Sequence, residues 1–448
     1  MAELLPGLEE LSLPRMVRVK QNFGAARVAD VAATVRAEVL RMRSVFRPGQ
    51  RVALAVGSRG IAQLPLIVKT LADALKEIGL SVFIVPAMGS HGGATAEGQR
   101  AVLEGFGVTE EFCGAAIRAS METVVLGTAT ALQIENCKFQ NANFNGEQHP
   151  SPRVRSAHVG PLPPGERGRE GDVEVHVDAI AWREADWIVP VARVKPHTSF
   201  RGRYESGICK MLAIGLAKHT GCAALHREGY ARFGELIPAC AEVVLQSGKV
   251  AFALGIVENA AEEPAVIEAV AVEKILLREP ELLDLARSLL PRILIPEIDV
   301  LVVEEIGKDI SGMGMDPNVT GRGTDGPVAG FSGPKISRIV VLGLSAGAHG
   351  NANGIGLADV TTQRAVEQID RVATYTNVLT SGSLANAKIP VALPSEREAI
   401  LAAASCVPGV RAEDARIVRI KNTLHLGEIE VSENLVETAR RISGCEVD

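Results

Sequence analysis

RVALAVGSRGIAQLPLIVKTLADALKEIGLSVFIVPAMGS, residues 51–90, decides the fold class. RVALAVG (Arg51 to Gly57) reads as a buried strand, because an unbroken apolar run suits a strand covered on both faces. LPLIVKTLADALKEIG (Leu64 to Gly79) has helical spacing and a glycine stop, and SVFIVPAMG opens the next strand. That is a βαβ unit. Thr95 to Gly105 supplies another helix and DWIVPVARV (Asp186 to Val194) another apolar strand. The expected fold class is therefore α/β: two domains with mostly parallel sheets flanked by helices, ligands at the carboxyl ends of the strands, and the active site in the interdomain cleft.

A second register begins near Ile298. IDVLVVEEIG and ISRIVVLGLSAG (Ile336 to Gly347) are strand-like and separated by a Gly-rich loop, and ADVTTQRAVEQI (Ala358 to Ile369) reads as a helix. KILLREPELLDLARSLL (Lys274 to Leu290) is helical and carries the chain across. The expected organisation is an N-terminal cofactor-binding domain over 1–295 and a smaller α/β domain over 296–415. The last segment, 416–448, is open to a return to the first domain. Polar, Pro/Gly-rich text at 138–171 reads as a mobile surface insertion.

Composition sets the outer limits. A chain of 448 residues argues for two or three domains. A net charge of -6 without a long basic run argues against nucleic acid as partner, while a small acidic substrate needs only one or two local cations. Aromatics at 4% and 44 glycines suit an α/β enzyme with tight strand-to-helix turns. The seven cysteines are odd in number and contain no Cys-x-x-Cys pair, so neither a disulfide framework nor a thiolate zinc site is expected. The amino terminus is acidic and Pro-interrupted, unlike a secretory signal, and no window reaches about 18 uncharged apolar residues. A cytoplasmic protein with no membrane partner is the expectation.

The chemistry concentrates at two strand ends. His91 lies in PAMGSHGGAT, where Gly89, Gly92 and Gly93 let the backbone approach a ligand and the start of the following helix favours an anionic group. A tight turn with a solvated histidine fits the same text. Between Arg193 and Gly229 stand three histidines, three lysines and four arginines. His197 follows a strand by three residues. Lys210 opens a helical run on which His219 and His226 are seven residues apart, on nearly the same face. Each histidine alone is as easily structural; together they are hard to use merely as a solvated face. Arg59, in VGSRG, has a planar fork suited to a carboxylate, or to a surface salt bridge.

These residues resemble the lactate racemase family, densest from LPRMVRV (Leu13 to Val19) to His226 and especially close to a branch marked by GSRG, PAMGSHGGATAEGQ, VKPHTSF and ESGICKM. The resemblance implies a nickel-pincer nucleotide, a pyridinium mononucleotide whose sulfur arms hold nickel. The family's Ser-Gly-x-x-Lys pattern falls on Ser206, Gly207, Ile208, Cys209 and Lys210, implying a covalent tether at Lys210. Its nickel-binding histidine follows by sixteen residues, on His226. The acid/base pair corresponds to His91 and His197, each acting as base in one direction and acid in the other, and the carboxylate-binding arginine to Arg59. The amides around Gly89, Gly92 and Gly93 are candidates for holding the phosphate of that cofactor, and Ser206, in the tether pattern, is expected to bind it too.

Two departures are visible. Three extra residues separate His197 from Ser206. In the second domain the family's Tyr-Gln and following Lys are replaced by Thr320, Gly321 and Thr324. This points away from lactate and leaves Asp316, Asn318 and Arg322 as polar contacts for a larger 2-hydroxy acid, such as a sugar acid. The implied activity is a racemase or epimerase whose partners are that substrate and the cofactor-synthesis enzymes. Oligomeric state is not readable. Two alternatives stand beside it. One is a metal-dependent hydrolase using the histidines, although His-Glu-x-x-His is lacking and Glu205 and Glu228 are the nearest carboxylates. The other is a non-catalytic nucleotide-binding protein.

Overall fold

The computed structural model describes residues 11–24, 26–57, 60–129, 172–323, 326–327 and 333–448. Arg59, Thr324 and the stretch 138–171 lie outside them. Contacts divide the chain into two compact units. One is Ala26–Ser288; the other joins the N-terminal segment to Leu289–Asp448.

The first strand, β1 (Met16–Gln21), belongs to the second of these. The chain then builds the Ala26–Ser288 unit from β2 (Arg51–Val56), β3 (Ser81–Pro86), β4 (Ala116–Ile117), β5 (Thr123–Ala129), β6 (Val173–Asp178), β7 (Trp187–Arg193), β8 (Phe252–Glu258) and β9 (Pro264–Ala271). Its main sheet has the order β4-β3-β2-β7-β8-β9, parallel except for β9, while β5 and β6 form a separate antiparallel pair. The expected βαβ unit is present, with β2 and β3 parallel and joined by the helix Leu64–Glu77. On β2, Val52, Leu54 and Val56 pack with Ile67, Val68, Leu71 and Leu75 of that helix in one core, and Ala53 and Ala55 are buried as well. Burial on both faces is why the strand reads as continuous apolar text.

The other unit contains β10 (Glu297–Val303), a short hairpin of β11 (Arg322–Gly323) and β12 (Gly326–Pro327), then β13 (Lys335–Val341), β14 (Val360–Thr362), β15 (Val391–Leu393), β16 (Ile417–Ile420), β17 (Glu428–Ser432) and β18 (Cys445–Val447). The sheet order is β15-β14-β13-β10-β16-β17-β1-β18. Its first five strands are parallel and its last three antiparallel. Leu301 and Val303 enter one core and Val300 and Val302 the other, so helices cover both faces.

Three expectations are corrected. The first domain does not begin at residue 1, and 416–448 does not return to it. Instead β17 and β18 pair with β1, Val19 opposing Ile429 and Val447. Such pairing spans more than four hundred residues and leaves no local mark. Third, Val360–Thr362, read as part of a helix, is a strand whose β-branched residues pair with β13 and β15, and the helix covers only Gln363–Glu367.

Candidate active site

In the sheet of the Ala26–Ser288 unit the strand order reverses between β2 and β7. Loops leaving such a point diverge and open a crevice at the carboxyl edge. The loop after β7 carries His197. Backbone bonds between Lys195 and Ser206, 2.9 and 3.2 Å, close its base. Inside, the fully buried Glu205 accepts the N–H groups of His197 (2.6 Å) and Gly202 (3.2 Å) and pairs with Arg201 (3.2 Å) and Arg287 (2.7 Å). These partners offset the cost of burying a carboxylate, and the backbone of His197 is fixed by them. The imidazole is buried beside Phe200, ring centroids 4.5 Å apart, with Tyr230 at 6.2 Å. Its Nδ1 accepts the N–H of Ser199 at 3.0 Å. The neutral ring therefore carries its proton on Nε2.

The helix Ile208–Lys210 continues as a π turn, Met211–Gly215. The chain then breaks and resumes as Lys218–Arg227, bent by 104° from the preceding segment. The expected single helical run is thus two. On a straight helix sixteen residues would separate Lys210 from His226 by about 24 Å. Lys210 and His226 stand on the two arms of that bend. His219, by contrast, is exposed at the start of the second segment and does not share the setting of His226.

His226 Nδ1 lies 2.7 Å from the carbonyl oxygen of Cys222 and 3.5 Å from its Sγ. A carbonyl only accepts, so in the neutral ring Nδ1 carries the proton and Nε2 the lone pair. This is the tautomer that a histidine metal ligand with an oriented outer bond adopts. Burial disfavours the charged ring, but the bonds to Cys222 outweigh it and raise the pKa, against the opposing Lys210. Tyr230 and Phe233 meet the ring edge-on at 5.8 and 5.0 Å. Tyr230 thus touches both His197 and His226.

The segment Ser206–Lys210 rests on a buried carboxyl. Glu279 Oε2 accepts the N–H of Cys209 at 2.7 Å, and a Cβ on Gly207 would lie 2.3 Å from Glu279 Oε1, so any side chain there would displace that carboxyl. Burial pushes Glu279 up to about 7 and Cys209 well above the ordinary thiol value. Two buried atoms here, Ser206 Oγ and Glu279 Oε1, have no hydrogen-bond partner among the described residues.

The loop with His91 joins this region through its neighbours. Gly89 donates to Gly215 O (3.1 Å), and Ser90 Oγ is 3.8 Å from Cys222 Sγ, the residue that holds His226. A Cβ on Gly89, at φ +60°, would meet Cys222 Sγ and Ile214 at 3.3 Å. Gly92 serves the protein itself: its Cβ would lie 2.5 Å from the backbone of Gly98, where the loop closes on the helix Ala96–Gly105. Gly93 faces open space, and the His91 side chain is exposed.

In the other unit, Asp316 and Asn318 lie between the loops after β10 and β16. The Asp316 N–H donates to Thr423 Oγ1 (2.9 Å), and Asn318 Nδ2 donates to Asp316 Oδ1 (2.7 Å). Arg322 is already engaged, pairing with Asp359 and donating to the carbonyls of Ile336 (3.3 Å) and Ser337 (3.1 Å). These partners hold Arg322 against its own sheet. A surface hollow lined by Asp299, Val410, Arg411 and Arg416 lies at the amino ends of β10 and β16 and contains none of the candidate residues.

Among the described residues no three of His, Cys, Asp and Glu gather as a metal-binding group. Glu205 is held as above, and Glu228 is paired with Arg232. What the donor set offers is one imidazole nitrogen, a nearby amine and an unpartnered hydroxyl, which fits a cofactor that brings its metal with it. Cys222, Tyr230 and Glu279 were not singled out in the sequence. Only Cys222 left a signal, standing four residues before His226.

The fold and these residues define an α/β protein with two units built on largely parallel sheets. No protein-family model matches the chain, and no curated protein does. Among solved structures it is similar to the lactate racemase apoprotein from Thermoanaerobacterium thermosaccharolyticum, at 15% identity and a TM-score of 0.49, covering 92% of this chain and 99% of that one. No single helix among the described residues is long and apolar enough to cross a membrane.

Proposed function

We propose that this protein is a racemase or epimerase of a 2-hydroxy acid, working with a nickel-pincer nucleotide held by Lys210 and His226. The observation that carries the reading is the His226 ring: in its neutral form Nδ1 is committed to the Cys222 carbonyl and Nε2 keeps its lone pair, and Lys210 stands on the segment that meets this helix at a sharp bend. When bound, the nucleotide supplies an electron-poor carbon that accepts and returns hydride.

Inversion at a hydroxyl-bearing carbon requires the α-hydrogen to leave one face and return to the other. Its loss as a proton is costly beside a carboxylate, so the hydroxyl proton must leave as hydride departs. His91 and His197 serve that transfer, one for each hand of the substrate. Their settings differ. His197 presents Nε2–H, and taking a proton there requires its ring to release Ser199. His91 stands on an exposed loop. Arg59 binds the substrate carboxylate. Ser206 Oγ bonds the cofactor, and the turn at Gly89 and Gly93 lies against it.

A hydrolase needs about three protein ligands for its metal, and the described residues gather no such set. The test is a panel of α-deuterated 2-hydroxy and sugar acids offered to protein produced with the cofactor-synthesis enzymes. Inverted product that keeps its deuterium supports the reading. Inversion with loss of deuterium to water, or hydrolysis by a stoichiometric zinc protein, counts against it.

A further inference from the structure

We propose that Lys218 is the positioning residue of the site, pinning the corner between the segment that carries Lys210 and the one that carries His226 and, through Gln99, the loop that carries His91. The inference rests on the functional reading above for what these groups do, but not for the geometry. Lys218 stands where the two helical segments meet at 104° and has φ +54°, a left-handed conformation that a side chain other than glycine's disfavours. A lysine kept there, fully buried, is held by its partners. Its Nζ is 2.8 Å from Asp178 Oδ2 at the end of β6, donates to the carbonyl of Pro86 at the end of β3, and lies 3.3 Å from Gln99 Oε1.

The amide of Gln99, also buried, continues the chain of contacts. Its Nε2 donates to Gly89 O (2.8 Å) and His91 O (3.4 Å). One ammonium thus ties β6, β3 and the helical corner together and reaches the histidine loop through one amide. Loss of either member would leave buried acceptors unpaired, and the loop backbone would be the first to move.

Amide hydrogen exchange on the full chain tests this, with Lys218→Gly, Gln99→Leu and Gln99→Glu. Glycine accepts the left-handed corner but removes the ammonium. Glutamate keeps the shape of Gln99 but removes its donors. In Lys218→Gly, residues 87–95 and 211–222 are expected to exchange at least tenfold faster. In both Gln99 variants only 87–95 does so, while strands 51–56 and 252–258 exchange at the wild-type rate. A merely space-filling Gln99 would be rescued by glutamate. Wild-type exchange over 87–95 in the Gln99 variants overturns the proposal, and they decide alone if Lys218→Gly does not fold. Covalent mass at Lys210, in protein produced with the cofactor-synthesis enzymes, is expected to fall in Lys218→Gly. Wild-type protein that takes no mass while the exchange pattern holds would sink the functional reading and leave the pin standing.

Discussion

An imidazole can give or take a proton at either nitrogen, and the bond made by one nitrogen fixes what the other presents. In this protein Ser199 N–H fixes His197 as the Nε2–H tautomer, and the Cys222 carbonyl fixes His226 as the Nδ1–H tautomer. Nitrogen-detected NMR of the neutral rings should report opposite tautomers at these two positions; identical tautomers would remove the asymmetry drawn between them. Glu279 allows a second check. Burial raises its folded pKa to about 7 from an ordinary value of 4.5, so the folded state holds its proton where the unfolded state has lost it. That stability is fully present below pH 4.5 and is lost as pH rises to 7. It amounts to about 3 kcal/mol as an order of magnitude. Urea unfolding of wild type should lose this increment between those pH values, whereas Glu279→Gln should not; parallel pH profiles would show that the carboxyl is not buried as described.

At the scale of elements, the two glycines flanking the bent helix make its approach possible. A Cβ on Gly215 would lie 2.7 Å from the carbonyl oxygen of Ala87, and one on Gly57 would lie 2.9 Å from Met211 Cε. Gly215→Ala should therefore lower stability by about 1–3 kcal/mol, read as a lower urea midpoint with unchanged slope; an unaltered midpoint would mean the helix does not sit against β3. The strands β2, β3, β7, β10 and β13 and the helix over 64–77 were legible because apolar periodicity is local. The spacing of Lys210 and His226 came from a likeness of pattern and not from periodicity. The corner was not legible. Nothing in AKHTGCAALH announces a left-handed lysine, because its partners Asp178, Pro86 and Gln99 lie forty or more residues away. The pairing of Arg322 was hidden for the same reason: an arginine in a Gly-rich loop gives no sign of the Asp359 found beside it.

Over the whole molecule, the unit that ends the chain is completed by the strand that begins it. Val19 is fully buried between Ile429 and Val447. Val19→Asp buries an unpaired charge and should destabilise that unit by several kcal/mol. Hydrogen exchange would register it as lost protection across 289–448 with 26–288 preserved; the reverse pattern would contradict the division of the chain. The claim on which the functional account turns is that Lys210 and His226 hold one nickel-bearing nucleotide between them. The most direct measurement is elemental analysis with peptide mass mapping of protein produced alongside the cofactor-synthesis enzymes. The account predicts one nickel per chain and added mass on the Lys210 peptide, the nickel lost in His226→Ala and the mass in Lys210→Ala. Full nickel and unchanged mass in both variants, or zinc alone in the wild type, would contradict it.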